Sequence, residues 1–385
     1  MSDAARFRLP APPRGPVDLL VIAGEHSGDE HGARMVRGLL DRKPLACVAA
    51  IGGPKLAEAG AHLLHDLTAD SVVGLVEVVK HLSFFRQLFS AVIDWIERYR
   101  PRAVCFVDYP GLNLRLAAEL RRRGLSRAGF GPVRCLYYIS PQIWAWKAGR
   151  RFTMARDLDA MAVIFPFEVE CYADTHLPVD FVGHPFVEAG YEAPVGYEPG
   201  GPVLLLPGSR KQAVSRIYPA LIAGFERFRK TRPAQEAVVL YPSDEILAVL
   251  SSFPASPGVR FQKTGEPVRA GAVLTSSGTM SMHCALAGIP GAIVYRANPL
   301  TYVIGRALVR VSFLGIANLL LDRAMYPEYL QGDAKPERLA EELARCTDDP
   351  ERREKTRLDA QSLRTVLGRP LAGSVSDWLS RELGV

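Results

Sequence analysis

A repeating unit constrains the fold of this chain: a short continuous apolar run, a turn of glycine and small polar residues, then a stretch with helical spacing. Val17 to Ala23 is the first such run, and it stops at Gly24. Cys47 to Ile51, Ala103 to Asp108, Cys135 to Ile139 and Ala160 to Phe165 follow. Helical stretches separate them, notably Gly28 to Leu40, Ser83 to Arg98 and Leu112 to Arg123. Runs that are apolar throughout, rather than at every second residue, belong to strands covered on both faces. Such strands alternating with helices specify a parallel, doubly wound sheet.

Between Gly183 and Pro202 glycine, proline and acidic residues crowd together, which marks an interdomain connection. The alternation then restarts at Val203 to Leu206, Ala237 to Tyr241, Ala272 to Thr275 and Gly291 to Tyr295. At 385 residues the chain is too long for one ordinary core. The expected fold is therefore α/β, with two doubly wound, Rossmann-like domains facing across a cleft. The expected divisions are a flexible tail over 1–16, a first domain over 17–190, a linker over 191–201, a second domain over 202–366, and a terminal helix over 367–385 returning to the first domain. Ligands of open parallel sheets sit beyond the carboxyl ends of the strands, so the turns there are the places to search.

Composition narrows the class of partner. A net charge of +6 spread over a large surface suits phosphorylated ligands or an anionic membrane surface and gives little support to nucleic-acid binding. Arg121-Arg122-Arg123 reads as the solvated end of a helix. The six cysteines form no C-x-x-C pair and lie mostly in apolar runs, as small core residues in a reducing compartment do. The first sixteen residues lack the apolar core of a signal peptide, and no apolar stretch approaches the roughly 20 residues that span a bilayer. A cytosolic protein, at most touching a membrane from that side, is expected.

Leu206-Pro207-Gly208-Ser209-Arg210 follows a buried run and opens toward a helix. Such a turn offers backbone N–H groups to an anion, and Arg210 adds a planar cationic fork for phosphate oxygens. A strand–turn–helix corner with a solvated arginine is an equal reading of these five residues alone. Ser276 to Ser281, through Gly278 and Thr279, opens another helix with free N–H groups, and two such sites in one domain suit a diphosphate. In the first half, Asp108 ends a strand before Tyr109-Pro110-Gly111, where a carboxylate facing a cleft can take a proton from an attacking hydroxyl. As an isolated Asp-x-Pro-Gly it would more often be a turn or cap residue. In Gly24 to Gly32, Ser27 or Asp29 could cap the next helix. Glu25, His26, Asp29 and His31 invite a metal, but no conventional ligand spacing supports one. Trp144, Trp146 and Lys147, near Arg150 and Arg151, combine apolar faces with cations. Core tryptophans beside a solvated basic helix would look the same.

Taken together and in order, these segments resemble the lipid-A-disaccharide synthase family, glycosyltransferases of GT-B architecture. The resemblance runs from about Leu19 to Leu339. It is carried by Ala23-Gly24-Glu25 with Ser27-Gly28-Asp29, Ser140-Pro141 with Trp144-Ala145-Trp146, Pro166-Phe167-Glu168, Gly183-His184-Pro185, Leu206 to Arg210, Ser277-Gly278-Thr279, and Pro327-Glu328 with Gln331. It implies inverting transfer of diacylglucosamine from its UDP derivative to diacylglucosamine 1-phosphate, with no metal or other cofactor. Asp108, with Glu25, falls on catalytic positions. Arg210, Gly208, Ser209, Gly278, Thr279, Asn318, Glu328 and Gln331 fall on the nucleotide side. Ser27, Trp144, Trp146, Lys147, Leu82, Phe84, Phe85 and Phe89 are expected to serve acceptor or lipid, the last four in an exposed stripe from Val72 to Phe89. The implied partners are UDP-diacylglucosamine, the lipid acceptor and the cytosolic face of the inner membrane, with no nucleic acid and room for a homodimer.

Several positions depart from the family pattern: His283 and Ala213 replace common glutamates, and Gly111 a common acidic residue. The usual Leu-Pro-Asn reads Ile316-Ala317-Asn318. Two other functions remain consistent with such a chain. One is a UDP-sugar epimerase, which shares the two-sheet plan but needs no lipid acceptor; the other is a UDP-sugar-binding homologue without catalysis.

Overall fold

The computed structural model describes residues 7–70, 78–298, 312–368 and 373–384. The chain forms two compact units, one of residues 1–185 and 369–385 and the other of residues 186–368.

The first unit is built on a seven-stranded parallel sheet, β3-β2-β1-β4-β5-β6-β7, of β1 (Leu19–Ala23), β2 (Val48–Gly52), β3 (His62–Asp66), β4 (Ala103–Val107), β5 (Arg134–Tyr138), β6 (Ala160–Val163) and β7 (Val179–Phe181). Its helices are α1 (His26–Arg42), α2 (Pro54–Glu58), α3 (Leu67–Asp70), α4 (Val78–Tyr99), α5 (Pro110–Arg122) and α6 (Arg150–Asp157). Every residue of β1, β2 and β4 is buried, as continuous apolar runs require. The chain winds outward from β1 to β3 and then returns to pair β4 with β1, Ala23 opposite Val107. The order reverses there, and the crevice of such a sheet opens at that point.

The tail is docked from Phe7 onward. Phe7 and Leu9 pack on the first core, and the Trp95 indole donates to the Pro10 carbonyl at 2.9 Å. The arginine run at the end of α5 is solvated and paired, Arg122 and Arg123 with Glu119, and Arg121 with Asp157.

The second unit repeats the plan with a six-stranded parallel sheet, β11-β10-β9-β13-β14-β15. The expected linker contains β8 (Val195–Tyr197), which pairs in a separate two-stranded sheet with β12 (Val268–Ala270). The main strands are β9 (Val203–Leu206), β10 (Ala237–Tyr241), β11 (Val259–Lys263), β13 (Ala272–Thr275), β14 (Gly291–Tyr295) and β15 (Glu328–Leu330). Helices α7 (Lys211–Arg229), α8 (Asp244–Ser251), α9 (Thr279–Leu286), α10 (Ile316–Leu321), α11 (Pro336–Asp348) and α12 (Pro350–Leu367) complete the unit. The order reverses between β9 and β13, whose last residues Leu206 and Thr275 are paired. The final helix, α13 (Val375–Leu383), belongs to the first unit and lies against α1.

Candidate functional site

The reversal point of the first sheet carries carboxyl groups. Asp108 directly follows β4, and Glu25 stands two residues past the end of the adjacent β1. Asp108 and Tyr109 both adopt left-handed backbone, with φ of 47° and 48°. Side-chain-bearing residues pay on the order of 1–2 kcal/mol each for that conformation, so the surroundings must hold it. They do: the Asn113 amide and the Tyr137 hydroxyl each donate to the Asp108 carbonyl at 2.7 Å, and the Asp108 N–H donates to the Tyr138 carbonyl. Gly24 has to be glycine, because a Cβ there would lie 2.1 Å from the Tyr109 ring.

Burial pushes the Asp108 carboxyl up to about 6, and the nearby Glu25 carboxylate pushes the same way against a backbone N–H from Tyr109. A third carboxyl is close. Glu168 is fully buried after β6 and raised to about 8, chiefly by burial, with the Asp108 charge adding to it while the Phe165 N–H and Trp144 indole oppose it. The Glu168 position was legible only as part of a motif; nothing in its spacing announced a neutral carboxyl beside Asp108.

The other residues of this turn divide. Glu25 precedes α1 with extended backbone and no side-chain cap, and Ser27 is exposed in the first turn. Asp29 does not cap its own helix. It is buried, and its carboxylate accepts from the N–H groups of Gly53, Lys55 and Leu56 at 2.8, 2.9 and 3.2 Å, closing the start of α2. His31 is pushed down to about 4 by burial and by Arg34.

Trp144 is half-buried edge-on against Phe167, whereas Trp146 is 51% exposed, with the Lys147 ammonium 4.4 Å from its ring centre. Phe152 is equally open at 52%, under the Arg151 guanidinium. The expected exposed stripe is different. Phe84, Phe85 and Phe89 are half-buried against the core, and Phe7 packs edge-on to Phe84 and covers it. The Leu82 side chain and residues 71–77 of the stripe lie outside the described set. Among the described residues of this unit, Trp146 and Phe152 are exposed rings that each carry a cation.

The reversal point of the second sheet carries no exposed carboxylate in its two turns. After β9, Gly208 takes a φ of 110°, a backbone open to glycine, and approaches Ser276 Oγ. Ser209 and Arg210 are exposed, and Arg210 stands at the start of α7. The neighbouring turn after β13 leads through Gly278 into α9 at Thr279, and the Ser276 N–H donates to the Leu206 carbonyl at 2.7 Å, tying the two turns together. Two helix starts and one guanidinium thus sit side by side, an arrangement suited to phosphate oxygens.

Asn318, Glu328 and Gln331 are held by their own unit. The buried Asn318 amide donates to the Tyr326 carbonyl and to Glu328, while its oxygen accepts from the Tyr326 N–H. Glu328 accepts from the N–H groups of Leu314 and Gly315 before α10. Gln331 exchanges two hydrogen bonds with the Ala297 backbone. His283, the departure on α9, is buried in an aromatic stack with Phe186 at 4.0 Å and Tyr191 at 5.7 Å between ring centres. Its ring is occupied by packing, which a glutamate could not provide.

The family model described as lipid-A-disaccharide synthetase matches residues 19–377. The lipid-A-disaccharide synthase of Geobacter sulfurreducens is 35% identical over 384 residues, covering 95% of this chain and 98% of that protein. That of Anaeromyxobacter dehalogenans is 36% identical, covering 93% and 95%. Among solved structures, the kitacinnamycin glycosyltransferase superposes with a TM-score of 0.59 at 13% identity, covering 96% of this chain and all (100%) of its own. A UDP-GlcNAc 2-epimerase from Neisseria meningitidis, solved with UDP-GlcNAc, gives 0.54 at 10%, covering 91% and 100%. The fold is GT-B, and transferases and epimerases share it. Sequence separates them: the chain belongs to the lipid-A-disaccharide synthetase family of glycosyltransferases.

Proposed function

We propose that this family member transfers diacylglucosamine, with inversion, from UDP-2,3-diacylglucosamine to 2,3-diacylglucosamine 1-phosphate. The acceptor's 6-hydroxyl attacks the anomeric carbon, the bond from that carbon to the UDP oxygen breaks, and UDP leaves with the electron pair. Asp108 takes the hydroxyl proton as that bond forms. A base works best with a pKa near the operating pH, and a carboxyl raised to about 6 is nearer than an ordinary one while still largely ionised at pH 7. Arg210 and the N–H groups at Gly278-Thr279 carry the charge developing on UDP, with no metal in this scheme. The single observation behind this reading is Asp108, held in left-handed backbone at the reversal point of its sheet with its proton affinity raised.

Among the described residues no helix is long and apolar enough to cross a membrane. We propose peripheral contact with the cytosolic face of the inner membrane through Trp146 and Phe152, whose apolar rings beside Lys147 and Arg151 suit acyl chains under anionic headgroups. The deciding assay follows UDP release from UDP-diacylglucosamine with and without lipid acceptor. Release only with acceptor, together with disaccharide, is expected. Release without acceptor would point to an epimerase-like reaction, and binding without release to a homologue that has lost catalysis.

A further inference from the structure

A cleft of about 360 Å³ opens on the first unit between α5 and α6, within the size range of small-ligand sites. Pro110 and Gly111 form one end, two residues beyond Asp108; Leu114 and Met154 supply an apolar wall. Arg115, Arg150 and Arg156 bring three guanidinium groups, and Asp157 the one carboxylate. That carboxylate is already committed, accepting from Arg121 and Arg156 at 2.8 Å. Among the described residues neither Arg115 nor Arg150 is paired with a carboxylate, although both line the same cleft. Arg150 also lies close enough to the Tyr137 phenol to act on its charge, and that phenol donates to the Asp108 carbonyl. Pro110, which lines the cleft together with Arg150, is two residues from Asp108, so the cleft opens beside the proposed base. No side chain at Gly111 narrows the mouth, and a Cβ built there would meet nothing within 4 Å.

We infer that this cleft is the subsite for the phosphate monoester of the acceptor, gripped by Arg115 and Arg150. The inference rests on the reaction proposed above and adds to it a way of choosing and orienting the acceptor. A dianionic phosphate fits guanidinium forks, which bind two oxygens at once, and holding it fixes the sugar ring relative to Asp108.

The test uses the full chain in neutral detergent micelles, where no anionic lipid competes. Arg115→Gln and Arg150→Gln replace partly or fully exposed side chains, and circular dichroism checks that each variant folds. Each should raise KM for the phosphorylated acceptor by about 10- to 100-fold, the effect of losing one charge-assisted contact, while KM for the UDP donor stays within about twofold. The variants should act on an acceptor lacking the phosphate as the unaltered protein does, and Arg150→Lys should recover part of the loss. An equal effect on both acceptors, or none, overturns the subsite. Loss of binding to anionic vesicles with the acceptor KM unchanged would assign the arginines to lipid headgroups and overturn it too. A separate readout needs no turnover: calorimetry should show glucosamine 1-phosphate binding to the protein and not to Arg115→Gln, with glucosamine binding to neither. If the unaltered protein transfers nothing but this binding difference holds, the reaction proposed above fails and the phosphate site stands. If transfer occurs but the difference is absent, the site fails alone.

Discussion

The two sheets reverse their strand order in the same way, yet the two reversal points have opposite electrical character. Past β1 and β4 stand Glu25 and Asp108, with Glu168 behind them, and burial raises the proton affinity of the latter two. Past β9 and β13 stand Gly208, Ser209, Arg210 and Gly278, offering N–H groups and a guanidinium. Topology supplies the crevice; a handful of turn residues set its charge. The reaction proposed above makes two demands, a hydroxyl made nucleophilic and a diphosphate made a leaving group, and assigns one to each reversal point, since a carboxylate among the N–H donors would repel the phosphates.

That division can be broken experimentally. Asp108→Asn should lower transfer by about 10²- to 10⁴-fold while UDP affinity, measured by calorimetry, stays unchanged. Loss of UDP binding in that variant would show that the two turns are not separate in role. Arg210→Ala should do the reverse, weakening UDP by about 10- to 100-fold with the fold intact. Unchanged UDP affinity would remove Arg210 from the anion side. The base must be ionised to act, so kcat/KM should fall as pH drops through about 6, by about tenfold between pH 7 and pH 5. A profile flat over that range would exclude Asp108 as the titrating group.

Two smaller effects sharpen the contrast. Asn318→Ala removes three internal hydrogen bonds and should cost about 2 kcal/mol in chemical denaturation, as a residue that braces its unit would. Asp108→Asn should stabilise. A carboxyl whose folded-state pKa exceeds its unfolded value binds its proton more tightly when folded; its contribution is full below about pH 4 and lost as pH rises through 6. At pH 8 the Asn variant should therefore gain roughly 3 kcal/mol, and at pH 4 little or nothing. A variant that is less active and less stable at pH 8 would mean the turn depends on the carboxylate.

The central strands of both sheets were legible because they are covered on both faces and read as unbroken apolar runs. The edges were not: β3 (His62–Asp66) and β11 (Val259–Lys263) are partly exposed and carry polar residues, and β15 (Glu328–Leu330) is three residues long. The turns gave their positions through glycine and aspartate, but not their partners. That Asp29 serves α2 instead of α1 depends on contacts more than twenty residues away. The burial that sets Asp108 and Glu168 apart from ordinary carboxylates is likewise a property of the packed unit. The half-burial of Phe84 was hidden for the same reason, since an amphipathic helix face looks identical whether it is bare or Phe7 packs on it.

The return of the last helix has a consequence for the order of events during synthesis. Trp378 is wholly buried in the first unit, Asp377 accepts from Arg42 of α1 at 2.7 Å, and Glu382 pairs with Arg134 of β5. The second unit is an uninterrupted stretch of chain, whereas the first is closed only by its final residues. A ribosome releasing this protein would therefore deliver a finished second unit before the first is sealed, although the first began to emerge earlier. Until then the groove awaiting Trp378 stays open, so stalled or clipped chains should expose their defect in the half that was made first.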